Sequence, residues 1–164
     1  MGWVDALRGK VVGLDTTPLI YFTEQNFEYI EVVRPFFQAL SNKEFEVVTS
    51  MVTLLEVLVI PKRNNDTEVA QKYRDFLLEE DNVTTYTLQQ GIAEEAARLR
   101  AFYTLRTPDA IQLATAIHAG ASIFITNDTR LPSLPDLKVL TLKEILKTSQ
   151  EEEKESDYSE GTQE

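Results

Sequence analysis

The chain alternates short runs of β-branched and other apolar residues with longer segments whose apolar residues recur every three or four positions. The first pattern predicts a strand and the second an amphipathic helix. The predicted strands, with a short extension of the first over Trp3–Arg8, are Val11–Leu14, Val47–Ser50, Val83–Leu88, Ser122–Thr126 and Lys138–Leu140. Strands that alternate with helices in this way are typical of an α/β fold around a mainly parallel sheet.

Local start and stop signals place the predicted helices. Thr17 and Thr107 are each followed by proline, which predicts a cap with proline at the first helical position. Asp66 is the predicted cap of another helix, and Thr141 with Glu144 forms the capping-box pattern of the last one. The remaining predicted helices cover Glu28–Leu40, Thr53–Val59 before Pro61, Glu68–Leu78 and Gln89–Tyr103. No repeat or linker interrupts the pattern, so we expect a single domain.

Charge is distributed unevenly along the 164 residues. The chain carries 27 acidic and 16 basic residues, a net charge of −11. Residues 150–164 hold seven acids and one base, so this low-complexity segment accounts for −6 and residues 1–149 for −5. We therefore predict a folded domain over residues 1–149 and an acidic, disordered, solubilising tail over 150–164. The acidic domain argues against a protein held on nucleic acid by bulk charge, although an enzyme that meets nucleic acid locally stays open.

Absent and scarce residue types exclude several chemistries. The sequence has no cysteine, which excludes disulfides, thiolate nucleophiles, iron–sulfur clusters and zinc sites built from cysteine. Its single histidine, His118, excludes sites that need several imidazoles and is predicted to be structural. No apolar run approaches the ~20 residues of a membrane span and no signal-peptide core is seen, so the expected location is the cytoplasm. Charged chemistry must therefore use carboxylates.

Four carboxylates fall at one predicted edge of the sheet, where strands end and helices begin. Asp15 and Asp128 directly follow predicted strands. Glu56 and Asp109 lie in the first turns of predicted helices. Strand ends and the helix starts that follow them share one edge of a parallel sheet, where α/β proteins usually bind ligands. The helix leaving Asp109 and the strand returning to Asp128 have similar predicted lengths, ~14 and ~16 Å, so the four acids can converge.

Each acid also has a local explanation that the sequence leaves open. Thr53 and Glu56 match a capping box, and Asp109 suits the positive end of a helix dipole. Asp15 and Asp128 suit turns. Four separate local roles, however, do not require all four side chains at one edge. Clustered carboxylates repel one another, and Mg²⁺ or Mn²⁺ with oxygen ligands relieves that repulsion, so the edge suits metal-assisted hydrolysis of phosphodiester bonds.

Four motifs occur in an order that resembles the PIN-domain ribonucleases, a family that includes the VapC-type toxins of prokaryotic toxin–antitoxin pairs. They are Gly13-Leu14-Asp15-Thr16-Thr17-Pro18-Leu19-Ile20, Thr53-Leu54-Leu55-Glu56-Val57-Leu58, Thr107-Pro108-Asp109-Ala110-Ile111-Gln112-Leu113-Ala114-Thr115-Ala116 and Phe124-Ile125-Thr126-Asn127-Asp128. The resemblance covers residues 11–146. Each motif alone is weak, but the ordered set, ending in Thr-Asn-Asp after a buried strand, is specific.

The resemblance implies a three-layer α/β/α sandwich and a divalent-metal-dependent endoribonuclease that uses Mg²⁺ or Mn²⁺. The family's acidic quartet of metal ligands and catalytic residues maps onto Asp15, Glu56, Asp109 and Asp128, with Thr126 or Asn127 as polar support. The expected reaction hydrolyses RNA with a metal-activated water and leaves 5′-phosphate and 3′-hydroxyl ends. The resemblance also implies a homodimer and, for a toxin member, a cognate antitoxin that inhibits it.

Two other functions compete with this hypothesis. A catalytically inactive PIN-like module that binds another protein would keep the fold and lose the metal. A haloacid-dehalogenase-like phosphatase would also place an aspartate after its first strand, but it needs a second acid two residues after Asp15. The chain has Thr17 there, so we reject the phosphatase.

The basic residues at loop or terminus positions, which are able to contact phosphates, are Lys62, Arg63, Arg106 and Arg130.

Overall fold

In the computed structural model, which describes residues 2–160, five strands form one all-parallel sheet. The strands are β1 (Val11–Leu14), β2 (Glu46–Ser50), β3 (Val83–Tyr86), β4 (Ile123–Thr126) and β5 (Lys138–Thr141). Their order across the sheet is β3-β2-β1-β4-β5, which places β1 at the centre. Leu14 pairs in register with Ile125, so β1 and β4 end side by side. The predicted parallel sheet is confirmed.

Seven α-helices within residues 2–160 cover both faces of this sheet. They are α1 (Thr16–Thr23), α2 (Ile30–Ser41), α3 (Met51–Arg63), α4 (Thr67–Glu79), α5 (Gln90–Tyr103), α6 (Thr107–His118) and α7 (Leu142–Glu160). On one face, α1, α2, α4 and α7 share a core with the strand residues Val12, Val47 and Ile125. On the other face, α5 and α6 cover Val48 and Phe124. Successive strand residues thus face opposite cores, which confirms the three-layer α/β/α architecture.

A glycine in β1 lets α6 pack close against the sheet. A Cβ atom built on Gly13 would lie 2.7 Å from Cδ2 of Phe124 and 2.9 Å from Cβ of Ala116 in α6. Both separations are shorter than ordinary carbon–carbon contacts, so a side chain at this position would push the helix away. Gly13 lies two residues before Asp15, and α6 carries Asp109. Gly13 therefore determines how closely α6, which carries Asp109, approaches β1, which ends directly before Asp15.

Helix α1 starts at Thr16, two residues before Pro18, the first helical position that its Thr-Pro motif predicts. Its cap is Asp15, whose Oδ1 accepts the Thr16 N–H at 2.8 Å, so Thr17 lies inside the helix. Helix α6 likewise begins at Thr107 itself, with Arg106 at the cap position. Aspartate caps helices better than threonine, which accounts for the shift at α1.

Helix α3 starts at Met51, two residues before the predicted start at Thr53. The cap is Ser50, whose hydroxyl accepts a backbone N–H of the first turn at 3.1 Å. Thr53 and Glu56 are therefore interior residues, with Glu56 in the second turn. The predicted capping box is wrong because the chain supplies a better cap earlier.

Three smaller differences concern the ends of elements. Residues Trp3–Leu7 form a 3-10 helix instead of a strand extension, with Val4 and Leu7 buried on one side at the three-residue spacing of that helix. Helix α3 passes its predicted end at Pro61, which is buried, and stops at Arg63. Strand β3 ends at Tyr86, two residues before the predicted end.

The last helix is longer than the sequence predicts. It begins as expected, with the Glu144 N–H donated to the Thr141 hydroxyl at 3.2 Å. It then continues to Glu160, so residues 150–160 are helical where disorder was predicted, and residues 161–164 lie outside the described residues. Glutamate and lysine are strong helix formers, which explains the extension even though residues 151–159 are all exposed. The division into a domain and a tail at residue 149 stays a prediction.

Within residues 2–160, no helix is both long and apolar enough to cross a membrane.

Candidate active site

Asp15 lies where the carboxyl ends of β1 and β4 meet. Its backbone N–H extends the ladder between these strands by donating to the Ile125 carbonyl at 2.9 Å. One carboxylate oxygen accepts the Thr16 N–H at 2.8 Å and the other accepts the Thr126 hydroxyl at 2.7 Å. Burial raises the pKa of Asp15 above its ordinary value and the charge of Asp109 raises it further, although the hydrogen-bond donors lower it.

A buried network of hydroxyl and amide groups lies behind Asp15, and sequence analysis missed it. Gln112 of α6 donates from Nε2 to the Thr53 hydroxyl at 2.6 Å and accepts the Ser50 hydroxyl at 2.6 Å. The same Nε2 makes a long contact of 3.4 Å with the Asp15 carboxylate. Gln112 is 3% exposed and Thr53 is fully buried. The network thus connects α6 and α3 to the aspartate after β1.

The Thr49 and Thr53 hydroxyls extend this network to the backbone of β1. Thr49 donates its proton to the Leu14 carbonyl at 2.8 Å, so in the 2.9 Å contact between the two hydroxyls Thr53 is the donor. Thr16 also contacts the Thr53 hydroxyl, at 3.2 Å. No buried side-chain nitrogen or oxygen in residues 2–160 lacks a hydrogen-bond partner. A polar core that is fully satisfied in this way fixes the relative positions of its elements.

Asp109 and Asp128 are each paired with a nearby arginine. Asp109 lies in the first turn of α6, and its Oδ2 is 3.2 Å from Nε of Arg106. Asp128 follows β4 and faces Arg130, with 2.9 Å between Oδ2 and Nη2 and 3.0 Å between Oδ1 and Nε. Its Oδ1 also accepts the Arg130 backbone N–H at 2.9 Å, so Asp128 does form the predicted turn. The hydrogen bonds from Arg130 lower the pKa of Asp128 below its ordinary value.

Glu56 is exposed and projects from the second turn of α3. Although Glu56 is exposed, neighbouring protein atoms displace part of the water around its carboxyl and raise its pKa, and the negative charges of Asp15 and Asp109 raise it further. The Thr16 hydroxyl and the charge of Arg106 act in the opposite direction. Asp15, Glu56 and Asp109 thus influence one another electrostatically across the edge.

The two residues predicted as polar support take different positions. Thr126 is fully buried, and its hydroxyl donates to Asp15 while accepting the Asp128 N–H at 3.0 Å. Asn127 instead accepts the Lys143 N–H at 3.0 Å, at the start of α7. Thr126 therefore connects two of the acids, whereas Asn127 holds the neighbouring helix.

The edge offers the oxygen donors that Mg²⁺ and Mn²⁺ prefer, but their arrangement is not a ready-made cage. In residues 2–160, no three or more His, Cys, Asp or Glu side chains are grouped closely enough to hold a metal ion. Two of the four carboxylates face arginines instead. The donor chemistry therefore fits a hard divalent cation, and its binding requires these side chains to rearrange.

His118 lies far from the acids, at the opposite end of α6 from Asp109. It is exposed, and its ring packs edge-on against Tyr86 with 5.9 Å between the ring centroids. This position agrees with the structural role predicted for it.

A family model for the PIN domain matches residues 12–137 of the chain. Among solved structures, the chain is similar to a toxin–antitoxin complex from Klebsiella pneumoniae, with 28% sequence identity and a TM-score of 0.61 over 80% of this chain and 97% of that one. The comparison with curated proteins gives no match.

Two further solved structures share the fold. VapBC2 from Rickettsia felis, bound to a DNA fragment from its promoter, is 17% identical with a TM-score of 0.59, over 80% of this chain and 98% of that one. DNA-bound VapBC from Salmonella typhimurium is 17% identical with a TM-score of 0.54, over 81% of this chain and 98% of that one. At this level of identity, the likeness extends to the fold alone.

Proposed function

The chain belongs to the PIN domain family, and from that premise we propose that it is a divalent-metal-dependent endoribonuclease. The proposed catalytic and metal-binding residues are Asp15, Glu56, Asp109 and Asp128. Family membership and the likeness to the Klebsiella pneumoniae toxin–antitoxin complex support a nuclease-type, toxin-like role. The use of Mg²⁺ or Mn²⁺ and the choice of RNA as substrate are parts of the proposal.

The observation that carries this proposal is the mutual repulsion of carboxylates around Asp15. Burial raises the pKa values of Asp15 and Glu56, and the charge of Asp109 raises both further. Grouping such acids in a partly buried position destabilises a fold unless a cation joins them, and perturbed acids of this kind concentrate at functional sites. The local role of Asp15 as a cap does not explain why the charge of Asp109 acts on both Asp15 and Glu56.

The chain's own residues orient the acids in the proposed reaction. Thr126 and the Thr16 N–H fix both oxygens of Asp15. Gln112 and Thr53 hold α6 and α3 together, and these two helices carry Asp109 and Glu56. A bound divalent cation would supply charge neutralisation at the phosphate and a lower pKa for a water molecule.

The proposed partner is an antitoxin whose segment covers the acidic edge. The similar structure from Klebsiella pneumoniae is a toxin–antitoxin complex, which supports a partner of this kind. A partner that covers the acids should compete with Mn²⁺ and bind Asp15→Lys more weakly. Equal binding to that variant would contradict the proposal that partner and cation bind at the same acids.

We further propose a homodimer and a cytoplasmic location, which sedimentation of the purified chain and fractionation of cells can test.

An inactive protein-binding module is the alternative function. The arginine partners of Asp109 and Asp128, and the lack of a preformed three-acid metal site in the described residues, are the observations that favour it. Calorimetric titration with Mn²⁺ separates the two functions, because a module without catalysis should show no saturable site.

The test of the proposed activity is Mn²⁺-dependent cleavage of a panel of structured and single-stranded RNAs. Asp15→Asn should lower the rate by orders of magnitude, because it removes one charge and one metal-ligand oxygen while retaining the size of the side chain. His118→Ala, at the far end of α6, is the control and should cleave nearly as fast as the parent. If Asp15→Asn cleaves RNA as fast as the parent, the quartet is not catalytic and the alternative function takes its place.

A further inference from the structure

Two exposed arginines lie against two of the four acids of the edge, Asp109 and Asp128. The side chain of Arg106 is 70% exposed and that of its partner Asp109 only 19%. For Arg130 and Asp128 the corresponding values are 73% and 21%. In both pairs, therefore, the acid is held by the fold and the arginine is free to turn towards solvent.

The two pairs belong to one electrostatic cluster. The pKa of Asp128 is lowered first by its hydrogen bonds with Arg130 and further by the charge of Arg106. The pKa of Arg130 is raised first by Asp128, and the charge of Asp109 raises it further. Each arginine thus acts on the acid of the other pair as well as on its own.

The other two acids of the edge are in a different state. The donors that the structure gives to Asp15 are neutral: the Thr126 hydroxyl, the Thr16 N–H and the amide of Gln112. Glu56 forms no ion pair in the described residues, where every ion pair of the edge involves Asp109 or Asp128. The four acids therefore form two groups. Asp109 and Asp128 are paired with arginines, whereas Asp15 and Glu56 have no cationic partner in the described residues.

We propose that Arg106 and Arg130 bind the phosphates of a nucleic-acid backbone, and that Asp109 and Asp128 hold them until a divalent cation takes these two carboxylates. This inference rests on the proposed nuclease function. A carboxylate oxygen that coordinates a cation no longer accepts the same hydrogen bond from a guanidinium, so cation and arginine compete. Once released, a guanidinium offers the forked donors that suit phosphate oxygens.

The charge of the whole chain makes such local cations necessary. Residues 1–149 carry a net charge of −5, so the surface as a whole repels a phosphate backbone. Arg106 begins the helix that carries Asp109, and Arg130 lies two residues after Asp128. Both arginines therefore stand beside the acids at the position where a substrate phosphate has to bind.

The first experiment measures Mn²⁺ binding by calorimetry, without RNA and without catalysis. The double variant Arg106→Gln/Arg130→Gln should bind Mn²⁺ about threefold more tightly than the parent, the order expected when exposed ion pairs no longer compete. The matched control is Arg8→Gln, which removes an equally exposed arginine from its 2.9 Å pair with Glu44 at the other edge of the sheet. Its affinity should equal that of the parent.

The second experiment measures how salt weakens binding of a fluorescent single-stranded RNA. Ca²⁺ replaces Mn²⁺ as the cation with oxygen ligands, and a gel confirms that the RNA stays intact. With Ca²⁺, the slope of log K against log salt should be shallower in the double variant by about 1.4, two phosphate contacts at ~0.7 each. In EDTA the slopes should nearly coincide, because the parent's arginines are then held by the acids. Arg8→Gln should follow the parent in both conditions.

The outcomes separate this inference from the proposed function. A parent that binds Mn²⁺ and cleaves RNA, with equal Mn²⁺ affinity in the double variant, overturns the inference and leaves the function in place. A slope difference of the same size with and without the cation also overturns it, since the arginines would then be free throughout. A parent with no Mn²⁺ site overturns both. Thermal melts of each variant control for misfolding. The double variant Arg106→Lys/Arg130→Lys retains both positive charges and controls for the loss of charge.

Discussion

Asp15 contributes to stability with a sign opposite to that of a simple capping aspartate. Burial raises the pKa of its carboxyl, so the folded chain retains the proton to a higher pH than the unfolded chain. The resulting stabilisation is fully present below the unfolded-state pKa of about 3.9 and is lost as the pH rises through the folded-state value. Above that value, the folded chain contains a partly buried charge whose donors are neutral.

Replacing this carboxylate should therefore not weaken the metal-free fold. Asp15→Asn retains an oxygen for the Thr16 N–H and removes the partly buried charge. Its free energy of unfolding should equal or exceed that of the parent at neutral pH, and the difference should grow as the pH rises above about 4. Urea denaturation of both proteins over this pH range measures it. A loss of ~1 kcal/mol at neutral pH would instead indicate an ordinary cap.

Two buried threonines distinguish the polar network from ordinary helix packing. The Thr53 hydroxyl serves Gln112 and Thr49, whereas the Thr115 hydroxyl donates to the Ile111 carbonyl of its own helix at 2.7 Å. Thr53→Val removes the acceptor of the Gln112 amide and the donor to the Thr49 hydroxyl, and it should lower the free energy of unfolding by about 1–3 kcal/mol. Thr115→Val should have a much smaller effect. Equal losses in urea denaturation would show that the network has no special weight.

At the scale of elements, the contact between β1 and α6 positions Asp15 relative to Asp109. Gly13→Ala places a methyl group 2.7 Å from Phe124 and 2.9 Å from Ala116, so strand and helix must move apart. Overpacking of this kind should destabilise the fold by about 1–3 kcal/mol and lower the rate of RNA cleavage.

Gly91→Ala is the matched control for this change. Gly91 lies in α5, and a Cβ there would be 3.9 Å from Nδ1 of His118, an ordinary contact. Alanine forms helix better than glycine by about 1 kcal/mol, so this variant should be as stable as the parent or more stable. Thermal melts that shift downward equally for both variants would contradict the packing argument.

At the scale of the whole molecule, the acidic half of α7 lies away from the acid edge. Helix α7 starts where β5 ends, beside β4, and packs on β5 and α2. Gln150 and Glu152 then line a groove with Arg8 and Glu44, which precede β1 and β2. The negative charge of the tail therefore lies near the amino ends of the strands, whereas Asp15 lies at their carboxyl ends.

Removing the tail should change long-range charge and little else. Residues 151–159 are exposed, so deletion of residues 150–164 should alter the free energy of unfolding by no more than about 0.5 kcal/mol. The net charge changes from −11 to −5, so the chain repels RNA less. This should accelerate association with RNA at low salt and leave kcat unchanged. Stopped-flow binding at two salt concentrations measures the first effect. A large loss of stability would show that the tail packs on the domain.

A divalent cation should reverse the order of stability between the parent and Asp15→Asn. A ligand at a concentration of 100 times its Kd stabilises a fold by about 2.7 kcal/mol. Mn²⁺ should therefore raise the Tm of the parent and raise that of Asp15→Asn much less, whereas EDTA should leave the variant equal or ahead. Identical shifts in the two proteins would place the cation away from Asp15.

The sequence by itself determined the order of the elements and the edge at which the acids lie. Strand runs such as Val11–Leu14 and helix periodicity are local properties, and the alternation of the two leaves a parallel sheet as the simplest arrangement. Asp15 and Asp128 follow strands that end side by side, so their common edge is a consequence of that order. The disorder predicted for residues 150–160 was wrong, because the prediction followed composition and neglected the helix propensity of the glutamates.

Only the tertiary structure decided which groups contact the acids. Gln112 gave a weak local signal, as a polar residue between the apolar Ile111 and Leu113, but its partners Ser50 and Thr53 are about sixty residues away. The donor to the second oxygen of Asp15, Thr126, is 111 residues away. Periodicity reports which face of an element is buried and says nothing of which distant side chain fills the space opposite. Hydrogen-bond partners and raised pKa values arise from that pairing, and they exist only once the chain has folded.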